Sequence, residues 1–136
     1  MSAQQSYEKL LKQLKEISLL GSTASVLGWD ERTHMPPGGA GLRADQLSLL
    51  SGMIHEKFTS TQVGDVLGEL EKSDYMKNAE SFEAVNISET KDEYVKQTKL
   101  PKDLVEELTK TTTLAQGEWV KARANNDFKA FLPWVE

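Results

Sequence analysis

The spacing of apolar residues constrains the fold of this sequence more than any other feature, because they recur every three or four positions nearly everywhere. Such steps return to the same side of an α-helix. From Tyr7 the first stripe continues through Leu10, Leu14, Ile17, Leu20, Ala24 and Leu27. The pattern predicts a long first helix that reaches about Trp29.

A break follows this first helix. Two consecutive prolines, Pro36 and Pro37, remove two backbone donors, and Gly38 and Gly39 leave the chain free to turn. The Pro-Pro-Gly-Gly stretch therefore predicts a loop.

Three helical segments are predicted next, in which the apolar stripes run from Leu42 to Phe58, from Val63 to Leu70 and from Phe82 to Val95. Thr59 stands three residues before Gln62, a spacing that predicts a capping box at the start of the third helix.

A fifth helix is predicted from Pro101, which suits a first helical position because its missing N–H would be unpaired there anyway. We expect this helix to fray at Asn125 and Asn126, and Asp127 to cap a last short turn. Its apolar stripe consists of Leu104, Leu108, Ala115, Trp119 and Ala122.

No segment shows the strict alternation of a β-strand. The fold class predicted for residues 1–136 is therefore all-α: a single helical domain of about five amphipathic helices in a bundle-like arrangement. Gly21 and Gly28 lie inside the first helix, where each costs roughly 1 kcal/mol relative to Ala. They predict either a weak, kinked helix or the close approach of another helix.

Composition excludes several classes of protein. The chain has no cysteine, which excludes disulfides, iron–sulfur clusters and thiolate zinc sites. With 16 basic and 21 acidic residues, its net charge of −5 argues against binding nucleic acid. No apolar run reaches the ~20 residues of a membrane span, and the polar N-terminus does not resemble a signal peptide. A cytoplasmic protein that does not bind membranes is expected.

The two histidines do not form a recognisable metal motif. His55 begins a His-Glu pair, but the second His of a zinc protease helix would fall at Thr59. Glu31 and His34 have the spacing of a di-iron ligand pair, yet no second pair exists. His34 is therefore interpreted as a loop residue and His55 as a half-buried helix residue, with no metal site. Neither a Gly-x-Ser-x-Gly elbow nor a phosphate-binding loop is present.

One segment of the sequence is much more specific than the helical periodicity. The segment from Trp29 to Gly39 resembles the Trp-Asp-x-x-Thr-x-Met-Pro-x-Gly signature of the carboxypeptidase Taq family of zinc metallocarboxypeptidases. Further matches follow in order along nearly the whole chain. The residues that carry the resemblance are Trp29, Asp30, Thr33, Met35, Pro36, Gly38, Arg43, Pro101, Trp119, Asp127, Phe128 and Pro133.

This resemblance implies an enzyme that releases C-terminal residues from peptides, with one zinc held by a His-Glu-x-x-His helix and a later Glu. It also implies an almost wholly helical fold and a homo-oligomer. The family's members are several times longer, and their zinc ligands and catalytic base lie beyond the region matched here. No catalytic, cofactor-binding or metal-binding residue is therefore carried over, and Trp29, Asp30 and Met35 are expected to serve packing and loop anchoring more than substrate contact.

The resemblance thus implies an N-terminal segment, inactive alone, that forms a wall or lid of the substrate cleft. The competing hypothesis is a stand-alone helical module that binds a partner without enzymatic activity. The last nine residues bear on this choice, since either the tail folds back onto the core or the natural chain continues. Apolar side chains crowd them at Phe128, Phe131, Leu132, Trp134 and Val135.

Overall fold

A computed structural model describes residues 2–136, and helices dominate this part of the chain. No β-strand occurs among these residues, which confirms the all-α prediction. The six α-helices are α1 (Ala3–Thr33), α2 (Ala40–Phe58), α3 (Thr61–Leu70), α4 (Phe82–Gln97), α5 (Lys102–Ala124) and the short α6 (Phe128–Phe131). None of the described helices combines the length and apolar character needed to cross a bilayer.

The first helix is longer than the periodicity predicted, since α1 continues past Trp29 to Thr33. It is also unbroken at Gly21 and Gly28. A Cβ atom added at either glycine would meet no atom within 4 Å outside the local helix backbone. The expectation that another helix approaches closely at these glycines is therefore wrong for residues 2–136.

Side-chain caps begin α3 and α4, and the cap predicted for α3 is off by one residue. The N-cap of α3 is Ser60, whose hydroxyl accepts the N–H of Val63, whereas Thr59 donates its hydroxyl to the carbonyl of His55. Ser81 caps α4 in the same way through the N–H of Ala84. Hydroxyl caps satisfy helix N–H groups that have no intrahelical partner.

The chain divides into two compact units. Unit 1 comprises the residues up to Leu20 together with Met53–Pro101. Its core is apolar and fully buried, and Tyr7, Leu14, Tyr75, Met76 and Tyr94 pack around it. The core side chains are Leu10, Val63, Val66, Leu67, Leu70 and Ile87.

Polar contacts fix the helices around the core of unit 1. Ser6, which is buried, donates its hydroxyl to the carboxylate of Glu69 at 2.8 Å. The amide of Asn86 donates to the hydroxyl of Tyr7 at 2.9 Å. The side chain of Asn86 thereby joins α4 to α1.

Unit 2 comprises Gly21–Gly52 and Lys102–Glu136. Within it, α5 lies against α2 through polar side chains. Ser48 Oγ donates to the carbonyl of Glu106 at 2.9 Å. Thr109 Oγ1 donates to Ser51 Oγ at 2.9 Å. Lys110 Nζ forms an ion pair with Asp45 Oδ1 at 2.8 Å.

Candidate functional site

The segment that carries the signature is the end of α1 and the turn after it. The carbonyl of Asp30 accepts the backbone N–H groups of His34 at 3.0 Å and Met35 at 2.9 Å. Thr33 donates its hydroxyl to the carbonyl of Trp29 at 2.8 Å. These bonds satisfy the last helical carbonyls, which otherwise have no partner. They end the helix and place His34 in a turn, as the sequence predicted.

The Pro-Pro-Gly-Gly stretch forms the predicted break. Pro36 is extended, and a 3₁₀ turn over Pro37–Gly39 leads directly into α2. The N–H of Gly39 donates to the carbonyl of Pro36 at 2.9 Å. A Cβ atom on Gly39 would lie 3.1 Å from Cγ of Met35, so this glycine lets the Met35 side chain lie close to the backbone.

Arg43 joins the two sides of this break. Its guanidinium donates from Nη1 to the carbonyl of Leu27 at 2.5 Å and from Nη2 to Asp30 Oδ2 at 2.8 Å. Its Nε donates to Gln46 at 3.0 Å. Only 13% of the Arg43 side chain is exposed. We call these four residues the Arg43 clasp, and because Arg donors are rigid and planar, the clasp sets the angle between α1 and α2.

Trp29 stands on the surface beside the clasp. It is 58% exposed, and its ring meets that of His34 edge-on with 5.4 Å between centroids. The neighbouring Asp30 is fixed by Arg43, so the backbone that carries Trp29 is held in place. The arrangement presents an aromatic surface next to a rigid turn, and it contains no nucleophile paired with a base.

A second set of signature residues lies at the two ends of α5 and in the segment that follows it. Pro101 directly precedes α5, which begins at Lys102, one residue later than predicted. Asn126 adopts a left-handed conformation with φ of 50°, as Asn tolerates. Asp127 accepts the N–H of Ala130 at 3.2 Å, which confirms the predicted cap. Pro133 lies in a final 3₁₀ turn.

Aromatic rings pack at this corner. Trp119 meets Phe131 edge-on with 5.2 Å between centroids, and Phe131 lies 6.5 Å from Phe128. Phe128 nevertheless stays 60% exposed. The tail therefore folds back only in part, since Phe131 is partly covered while Phe128, Leu132 and Trp134 remain exposed.

The sequence named Arg43 and Asp30 as signature residues but did not predict that they pair. It also missed Leu27 and Gln46 as partners. One signal was available, because Arg43 lies on the same helical side as Leu47, four residues further along α2. A cation on an otherwise apolar stripe indicates a partly buried charge that needs a partner.

Neither histidine belongs to a cluster of possible metal ligands. Across residues 2–136, no three or more His, Cys, Asp or Glu side chains are grouped so that they could hold a metal ion. His55 is more deeply buried than predicted, at 7% exposure, and its Nε2 lies 2.7 Å from the carbonyl of Leu100. That contact joins the end of α2 to the segment before α5.

An open groove of about 420 Å³ crosses unit 1. Lys57 pairs with Glu16 at 3.2 Å on its wall, and the amide oxygen of Gln13 is buried there without a hydrogen-bond partner. The groove offers polar atoms for binding, but its lining contains no histidine to activate a nucleophile.

The comparisons with known proteins agree with the signature block. The profile of the family described as "Carboxypeptidase Taq (M32) metallopeptidase" matches residues 9–136. "Thermostable carboxypeptidase 1" of Thermus thermophilus is 30% identical over the whole chain, and "Carboxypeptidase 1" of Bacillus subtilis is 30% identical over 96% of it. The chain spans only 27% and 26% of the lengths of these two relatives.

Solved structures show the same fold. The structure titled "BsuCP Crystal Structure" superposes with a TM-score of 0.90 at 25% identity, covering 97% of this chain and 26% of that one. A second, "The Structure of CHT", gives a TM-score of 0.69 at 34% identity over 96% of this chain and 26% of that one. The signature residues, the helical fold and the profile match over nearly the whole length lead to one assignment: this chain belongs to the carboxypeptidase Taq (M32) metallopeptidase family.

Proposed function

We propose that this chain is the N-terminal segment of a longer metallocarboxypeptidase, which releases C-terminal residues from peptides in the cytoplasm. The segment forms part of the wall or lid of the substrate cleft and has no activity alone. The observation that carries this proposal is the match of the family profile to residues 9–136 of this chain. The Thermus thermophilus relative is about four times as long as the chain, which covers 27% of it.

The clasp suits a wall better than a catalytic centre. Each of the three guanidinium nitrogens of Arg43 donates to a partner inside the chain, namely Gln46, the carbonyl of Leu27 and Asp30. What remains free beside it is the exposed ring of Trp29, an apolar and planar surface. A rigid aromatic surface can guide a peptide without taking part in bond cleavage.

The family's metal does not fit the described residues. A metallopeptidase needs a metal held by several converging ligands, and zinc is the metal we propose for the complete enzyme. Residues 2–136 offer no such group of side chains. We therefore assign the metal ligands to the rest of the enzyme and derive no catalytic step from this segment.

The activity test compares this chain with a full-length chimera, in which it replaces the matched region of Bacillus subtilis Carboxypeptidase 1. Release of the C-terminal amino acid from a blocked dipeptide is the measurement. We expect turnover from the chimera and none from the chain alone, with or without added divalent metal. Chelator-sensitive turnover that scales with the concentration of the chain alone would contradict the proposal.

A second function is favoured by the exposed apolar side chains of unit 2, which include Leu42, Leu49, Leu108 and Val135. These would suit a stand-alone helical module that binds a partner protein. The reading frame after the codon of Glu136 separates the two functions. Continuation to a His-Glu-x-x-His sequence agrees with the enzyme segment, whereas a native stop codon favours the module.

A further inference from the structure

Helix α5 turns a polar side, not its apolar side, toward α2. The side that contacts α2 carries Glu106, Thr109 and Lys110, whose side-chain or backbone atoms make the polar contacts between the two helices. With 100° of rotation per residue, these positions share one side of the helix. An amphipathic helix on the surface of a globular protein normally turns its apolar side inward, so this arrangement is reversed.

The apolar side of α5 points away from α2. Leu104, Leu108, Ala115 and Trp119 follow one another at steps of four, seven and four residues, which keeps them on one side of the helix. We call these four residues the outer stripe. Leu104 is 48% exposed, Leu108 60% and Trp119 41%. At its C-terminal end the stripe continues into the aromatic corner through the contact of Trp119 with Phe131.

Unit 2 has little interior of its own to hold such residues. Among its described side chains, the buried hydrophobic ones are Ala44 and Ala122, and both are small. Unit 1, by contrast, buries six larger apolar side chains completely. A compact unit normally buries its large apolar residues, and a contiguous exposed patch marks a surface that another structure covers.

We propose that the outer stripe is the surface of this chain on which the remaining part of the M32 fold packs. This inference rests on the proposed function, because it takes the chain as a segment of the longer enzyme. The present chain covers 26% of the polypeptide in the structure titled "BsuCP Crystal Structure". About three quarters of that polypeptide therefore lies outside the matched region. Polypeptide joined covalently to the segment is present at high effective concentration, which favours it over a second copy.

The test uses hydroxyl-radical footprinting with mass spectrometry, on this chain alone and within the Bacillus subtilis chimera. We expect the oxidation of Leu108 and Trp119 to fall several-fold in the chimera. Val120 is the matched control because it is 57% exposed on the same helix but lies about 100° round from Trp119. Its oxidation should change little.

Substitution provides the second measurement. Leu108→Glu should lower the melting temperature and peptidase activity of the chimera, whereas Val120→Glu should leave both near those of the unsubstituted chimera. Equal oxidation of Leu108 in both proteins would overturn the inference. So would a dimeric chimera that Leu108→Glu turns into an active monomer, since the stripe would then contact a second copy.

The two proposals fail differently. An unsubstituted chimera that is inactive while Leu108 is protected contradicts the proposed function and supports the docking surface. A chimera that is active while its Leu108 and Trp119 remain as reactive as in the chain alone supports the function and overturns the docking surface.

Discussion

Arg43 and Asp30 form an ion pair of 2.8 Å across the Pro-Pro-Gly-Gly break, 13 residues apart in the chain. The Arg43 side chain is largely buried, and it also donates to the carbonyl of Leu27 and to Gln46. The pair thus ties the end of α1 to the beginning of α2. This ion pair therefore fixes the conformation of the Pro-Pro-Gly-Gly break between the two helices.

Replacing Arg43 should therefore destabilise the chain. Arg43→Met keeps the length of the side chain but leaves Asp30 and the carbonyl of Leu27 without their donor. We expect the free energy of unfolding, measured by urea denaturation, to fall by about 1–3 kcal/mol. The control is Lys77→Met, which removes an ion pair with Asp74 whose two side chains are 75% and 86% exposed. Such exposed pairs contribute about 0–1 kcal/mol, so equal losses for both variants would contradict a special role for the clasp.

Two glycines of α3 should respond oppositely to alanine. A Cβ atom at Gly64 would lie 2.5 Å from the hydroxyl of Tyr94, which donates to the carbonyl of Ser60. Gly64→Ala should therefore cost about 1–3 kcal/mol through overpacking. Gly68→Ala meets nothing within 4 Å and should raise the free energy of unfolding by up to about 1 kcal/mol. Thermal denaturation of the two variants checks the order, and a stabilised Gly64→Ala would show that Tyr94 moves freely.

The glycines of the first helix should behave like Gly68. Gly21→Ala and Gly28→Ala add a methyl group where no atom outside the local helix backbone lies within 4 Å. Each should stabilise the chain by roughly 1 kcal/mol, because Ala restricts the unfolded backbone and favours the helix. Circular dichroism melting of both variants is the measurement. A lower melting temperature would mean that a neighbour approaches α1 closely after all.

The isolated chain is expected not to hold zinc tightly. It has no cysteine and only two histidines, and His55 already contacts the carbonyl of Leu100. Metal analysis after dialysis should find far less than one zinc per chain. Stoichiometric zinc that is lost on changing His34→Ala or His55→Ala would overturn this prediction.

The isolated chain is also expected to self-associate through its uncovered apolar side chains. At ~25 cal/mol per Å², burying a patch of a few hundred Å² favours association by several kcal/mol before entropy is subtracted. Light scattering across a concentration series should show a mass above that of one chain. Leu108→Glu and Phe128→Glu should lower that mass. The homo-oligomer that the family resemblance implies for the complete enzyme need not use this surface. A single-chain mass at every concentration would contradict the prediction.

The sequence by itself determined the local structure. The three- and four-residue spacing from Tyr7 to Leu27 predicted α1, Pro36 and Pro37 predicted its end, and Asp127 predicted the start of α6. These features depend on backbone hydrogen bonds and side chains only a few residues apart, so a short stretch of sequence contains all the information. The displaced cap at Ser60 shows the limit, because adjacent hydroxyl residues can each take that role.

The tertiary structure decided which sides of the helices face the interior and which residues pair over longer distances. The stripe of Leu104, Leu108 and Trp119 was visible as a periodic pattern, yet the sequence could not say that this side points away from α2. Nor could it say that Arg43 would reach Asp30. Periodicity follows from the geometry of one helix, whereas the choice of the covered side follows from the contacts that the whole polypeptide makes available.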